Sequence, residues 1–94
     1  MSDMFVAAYK FNQSIENWDV SSVTDMSHMF DGAHEFNRPI SDWNVSNVTD
    51  MECMFCDAEK FNQDISRWDV SNVTYMKEMF DYCPIEEKYK PKFK

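Results

Sequence analysis

Cys53 and Cys56 stand in a C-x-x-C, the spacing of dithiol redox sites and of one half of a structural zinc site. A zinc site of that kind needs a second C-x-x-C or a C-x-x-H to complete its ligands, and none follows. Cys83 makes the cysteine count 3, an odd number, so free thiols in a reducing compartment are expected. The 8 methionines would suit soft-metal chemistry such as copper binding. His28 and His34 have no candidate nucleophile at a meaningful spacing, which speaks against a catalytic triad. The 17 acids could hold the carboxylate pair of a glycoside hydrolase, but spacing alone does not reveal such pairs. The single glycine, Gly32, excludes both the GxGxxG and the GxxxxGK phosphate cradles.

The elements that position these residues follow from an internal repeat. FNQSIENWDVSSVTDMSHMFDGAHE from Phe11, FNRPISDWNVSNVTDMECMFCDAEK from Phe36 and FNQDISRWDVSNVTYMKEMFDYCPI from Phe61 align without a gap, identical in all three at 11 of 25 positions. Met4, Phe5 and Ala8 fall in register with the end of a unit. The chain is read as a half-repeat cap (1–10), three repeats (11–83) and a capping tail (84–94). A lone unit of this size cannot bury its apolar face, whereas stacked units can.

Ile15, Trp18 and Val20 have LxxLxL spacing, which predicts a short strand, repeated at Ile40, Trp43, Val45 and at Ile65, Trp68, Val70. Val23, Met26, Met29, Phe30 and Ala33 share one stripe of a helix about three turns long. Ser22, Asn47 and Asn72 are its expected N-caps, with Asp25 and Asp50 completing capping boxes. The expected fold is thus α/β: a small leucine-rich-repeat-like solenoid with a short parallel sheet and backing helices. Asn37 and Asn62 are expected to bond turn backbone repeatedly along the stack.

This register reassigns the reactive residues. Cys53 aligns with His28 and Glu78, and Cys56 with Asp31 and Asp81, which on a helix are outward positions, so both thiols are expected at the surface. Cys83 aligns with alanines and is expected to be a small buried residue. The methionines and tryptophans become stacked core columns. No metal and no cofactor is expected.

The repeat WDVSNVT, its following MxxMF and the FNQDIS start resemble the BspA-like leucine-rich-repeat surface proteins, including mycoplasma-type lipoproteins, over roughly Met4 to Pro84. That resemblance implies cell-surface adhesion and host-protein binding; similar repeats occur in protists and large DNA viruses. It brings no catalytic or ligand residues with it.

A net charge of −8 opposes nucleic-acid phosphates, so no nucleic acid is expected as a partner. No apolar run approaches the roughly 18 residues of a membrane-spanning helix, so no membrane insertion is expected. The start MSDMFVAAYK lacks the pattern of a secretory signal, which favours an intracellular or virion-associated setting. The tail carries Lys88, Lys90, Lys92 and Lys94, while Ile85, Tyr89 and Phe93 are placed to cap the last apolar layer.

The function expected from these features is a noncatalytic protein–protein interaction or structural scaffold module, not an enzyme. The alternatives are an adhesion module, a virion or assembly component and, from a different class, a carboxylate-based hydrolase. The expected partner surface is the outward file Asn17, Asp19, Ser21, then Asp42, Asn44, Ser46, then Arg67, Asp69, Ser71, with end-to-end self-association open to the chain.

Overall fold

The apolar stripe of each unit is laid down by linked turns. Amide-to-carbonyl bonds three residues apart recur at equivalent places: Trp18, Trp43 and Trp68 donate to Ile15, Ile40 and Ile65. Val23, Val48 and Val73 donate to Val20, Val45 and Val70, and Met29, Met54 and Met79 to Met26, Met51 and Met76. The computed structural model describes Met4 and residues 8–93. Among these residues the one helical element is a 3-10 turn, Glu87–Tyr89, and the only parallel bridges are the isolated pairs Asp25 with Asp50 and Asp50 with Tyr75.

The expected α/β solenoid with a parallel sheet and backing helices is therefore corrected. A helix needs each amide to reach back four residues. Here the amides that would do so are spent on the neighbouring unit: Met26, His28, Phe30 and Gly32 donate to the carbonyls of Asp50, Glu52, Met54 and Cys56. Met51, Cys53, Phe55 and Asp57 donate likewise to Tyr75, Lys77, Met79 and Asp81. Alternate residues in this ladder have left-handed backbone, with φ of 56° at His28, 51° at Cys53 and 58° at Glu78, then 77° at Gly32 and 56° at both Asp57 and Tyr82. No right-handed helix accommodates such residues. The expected strand at Trp18–Val20 is replaced by the end of one turn and the start of the next.

The expected caps have other duties. Asn47 and Asn72 donate through Nδ2 to the carbonyls of Ser21 and Ser46 in the preceding unit, at 2.8 and 2.7 Å. Asp25 Oδ1 accepts the Ser27 amide and hydroxyl, and Asp50 Oδ1 the Glu52 amide, each closing a local turn. The units lie against one another in register as irregular coils: coil 1 (11–35), coil 2 (36–60) and coil 3 (61–83). The whole measures 30 × 25 × 19 Å.

Between the coils run files of equivalent side chains. Phe11, Phe36 and Phe61 stack with centroids 5.7 and 5.8 Å apart, Phe30, Phe55 and Phe80 at 5.5 and 5.8 Å, and Trp43 on Trp68 at 6.4 Å. Met26, Met29, Met51 and Met54 fill the space between them and are fully buried. Burial of one such side chain contributes roughly 1.5–3 kcal/mol. Trp43 and Trp68 each donate Nε1–H to the carbonyl of Ile15 or Ile40 one coil back, both at 3.1 Å, so their polar tips are satisfied inside the core. The asparagine file forms as expected: Asn12, Asn37 and Asn62 accept through Oδ1 the amides of Asn37, Asn62 and Glu86.

The tail closes half of the final layer. Ile65 donates to the carbonyl of Tyr89, Ile85 is buried in the core, and Tyr89 and Phe93 pack against it half-buried. Lys90 lies 5.2 Å over the Phe80 ring.

Candidate functional site

The outward file expected to meet a partner is exposed at Asn17, Asp19, Asp42, Asn44, Arg67, Asp69 and Ser71, and half-buried at Ser21 and Ser46. It lies on turns, not on a sheet. Asp19, Asn44 and Asp69 each accept through Oδ1 both the amide and the hydroxyl of the serine two residues on, Ser21, Ser46 and Ser71, with hydroxyl contacts of 2.6–2.7 Å. Six of the nine residues thus hold their own turns. The Ser21 hydroxyl, and after it the Ser21 amide, draws the Asp19 carboxyl below its ordinary range by bonding the charged form.

The cysteines depart from their expected places. Cys56 is buried and Cys53 half-buried, because the positions that would point outward on a helix tuck beneath the next coil in a chain of turns. Cys56 Sγ donates to the Glu78 carbonyl at 2.9 Å, and burial raises its pKa far above the thiol range, with Cys53, Asp31 and Asp81 pushing the same way. Cys83 is half-buried, with Sγ 3.5 Å from the Phe61 carbonyl, and burial pushes its thiol up too. The Sγ atoms of Cys53 and Cys56 and a carboxylate oxygen of Glu78 all lie within 4.8 Å of one another. Nearby, His28 Nδ1 pairs with Asp31 Oδ2 at 2.9 Å. The alignment of Cys53 with Glu78 was the signal for this grouping, visible once the repeat is in register.

Two concavities open on the surface. One, at the end of the stack, is lined by Trp68, Asp69, Val70, Met76, Lys92 and Phe93 among others; the second lies between Tyr9, Lys10, Asn12, His34 and Glu35. Each holds a single carboxylate.

The free edge of coil 3 is a feature the sequence reading missed. The amides of Met76, Glu78, Phe80 and Tyr82 are equivalent to the ladder donors of coils 1 and 2, yet they meet no acceptor among the described residues. Tyr75 and Tyr82 flank this row, 59% and 82% exposed. The tail bonds coil 3 at Ile65 and reaches the ladder side with Lys90 over the Phe80 ring and with Lys92 and Phe93 around the hollow that Met76 lines, but it supplies no acceptor to these four amides among the described residues.

These features define a class: a protein of 25-residue coils built from turns, joined by a backbone ladder that ends in a row of donors meeting no acceptor among the described residues. The chain belongs to the family described as "Mycoplasma protein of unknown function, DUF285", whose model matches residues 1–90 and which is related to the BspA-like mycoplasma repeats. No curated protein and no solved structure matches it.

Proposed function

We propose that this chain is a noncatalytic protein-interaction or scaffold module of the BspA-like repeat type, and that its contact is the open edge of coil 3. The observation that carries this reading is the row of amides at Met76, Glu78, Phe80 and Tyr82, which meet no acceptor among the described residues. Unpaired backbone donors at an edge are a template for another chain. The occupant that fits is a further coil of the same repeat, supplied by a second copy or by a longer array. Its carbonyls would stand as those of Tyr75, Lys77, Met79 and Asp81 stand to coil 2. The turn face containing Asp19 and Asp69 is the competing contact, but its acceptors are already engaged by Ser21 and Ser71. The WDVSNVT and MxxMF pattern supports the BspA-like assignment.

Sedimentation equilibrium tests the proposal. The chain should associate with rising concentration. Tyr75→Lys with Tyr82→Lys should weaken association about tenfold or more, since lysines block an edge. Asp19→Lys with Asp69→Lys should leave it unchanged. A chain monomeric at every attainable concentration, or association lost only in the turn-face variant, overturns the assignment.

A further inference from the structure

Two files of side chains run across the ladder side of the coils: His28, Cys53 and Glu78 in one, Asp31, Cys56 and Asp81 in the other. All six are residues that can ligate a metal. We infer that Cys53, Cys56 and Glu78 form a binding site for a thiophilic divalent cation of the zinc class, contrary to the expectation from sequence that no metal is bound.

The fold assembles the three donors without help from the ion. The Cys56 amide donates to the Cys53 carbonyl at 3.2 Å, setting the C-x-x-C as one turn. The ladder bonds from Cys53 to Lys77 and from Phe55 to Met79 bring Glu78 beside it from the next coil. The donor atoms lie within 4.8 Å of one another, while a tetrahedral zinc site with bonds of about 2.0–2.3 Å separates its ligands by roughly 3.3–3.8 Å. Small side-chain rotations close that difference.

The donor chemistry selects the ion. Two thiolates favour zinc-class cations over magnesium or calcium, which take oxygen ligands. On binding, Cys53 and Cys56 each lose a proton to solvent, and the Cys56 S–H bond to the Glu78 carbonyl is exchanged for a sulfur–metal bond. Glu78 enters through a carboxylate oxygen. Two thiolates and a carboxylate carry three negative charges against two positive, and three protein donors leave one coordination position for water. Asp31 and Asp81 add to the negative field around Cys56.

The test is Co2+ titration of the reduced full chain, with Zn2+ as competitor. One Co2+ per chain should bind, with thiolate-to-cobalt charge-transfer absorption that Zn2+ abolishes. Cys53→Ser should cut the charge-transfer band at saturation to about half and weaken binding on the order of 100-fold, and Glu78→Gln should weaken it about tenfold with the band kept. Cys83→Ser should change nothing. Cys53 is half-buried and Glu78 exposed, so these variants keep the fold, checked by near-ultraviolet dichroism of Trp43 and Trp68. Absence of a charge-transfer band, a band undiminished in Cys53→Ser, dependence on Cys83, or affinity untouched by Glu78→Gln would each overturn the site. None of these readouts depends on coil-edge association, so the two proposals fail separately.

Discussion

The two sides of each coil are joined to the next by different means. On the ladder side the joints are backbone amides meeting backbone carbonyls, from Met26, His28, Phe30 and Gly32 onward. On the turn side they are side chains: Asn12, Asn37 and Asn62 through Oδ1, Trp43 and Trp68 through Nε1, Asn47 and Asn72 through Nδ2. Backbone joints ask nothing of residue type, and the ladder's outer positions vary freely, as Ser27, Glu52, Lys77 and as His28, Cys53, Glu78. Side-chain joints demand particular residue types: Asn12, Asn37 and Asn62 and the tryptophans recur in all three coils, and Asn47 and Asn72 recur in coils 2 and 3 where coil 1 has Ser22. Variable positions of the ladder are therefore where chemistry can be installed with no side-chain joint lost, and the cysteine–glutamate cluster stands there.

The largest effect that would test this contrast comes from the turn side. Trp43→Ala removes a ring that is 4% exposed along with its bond to Ile15, and should cost on the order of 3–5 kcal/mol in denaturant unfolding. Trp18→Ala, at 37% exposure, should cost well under half of that. Equal losses would break the account of a buried column. Next comes Asn37→Ala, which strips an acceptor from the Asn62 amide and from Gln63 Nε2 and should cost about 1 kcal/mol. Its control is Lys77→Ser on the ladder side, expected to stay within about 0.5 kcal/mol of the parent. A larger loss at Lys77 would show that ladder positions are not chemically free.

What the ladder does demand is conformation. Tyr82 holds φ of 56° where coil 1 has Gly32, and its side chain is 82% exposed, so Tyr82→Gly should stabilise the chain by about 0.5–1 kcal/mol. A lower thermal midpoint would mean that the left-handed residue carries no strain. The smallest effect is acid-dependent. Serine hydroxyls, then amides, hold Asp19, Asp25 and Asp64 below the ordinary 3.8. With the folded pKa depressed, their contribution is complete above the unfolded value and is lost as pH falls from 3.8 through the folded values. The triple variant Ser21→Ala, Ser27→Ala, Ser66→Ala should therefore differ from the parent most at neutral pH and converge with it in acid. A gap in thermal midpoint that is constant with pH would refute the linkage.

These two sides were unequally legible in the sequence. Identical apolar residues 25 positions apart set the register and the core columns, and the asparagine file followed from turn chemistry. The helices did not, because Met26, Met29 and Ala33 are spaced alike whether the chain bonds three residues back in turns or four in a helix. Left-handed backbone separates the two, but only Gly32 advertises it, while Asp57 and Tyr82 hold the same conformation silently. That misreading placed Cys56 outside when it lies under coil 3, and it hid the open donor row, which exists only in a ladder of this kind.

The direction of the ladder bears on how the chain is made. From Met26 and Met51 onward each coil offers its amides to the coil that follows it in sequence, whereas Thr49 and Thr74 donate back to Thr24 and Thr49; along most of the ladder, then, the donors leave the ribosome first and the acceptors about 25 residues later, a wait of roughly 1–5 s at ordinary rates of synthesis. No helix or hairpin bridges that interval among the described residues, and each joint closes a long loop, as the 28-residue span from Trp43 to Ile15 does. The nascent chain therefore advances behind a row of unanswered donors, Met26 to Gly32 and then Met51 to Asp57, each open to any passing backbone until its own next coil arrives.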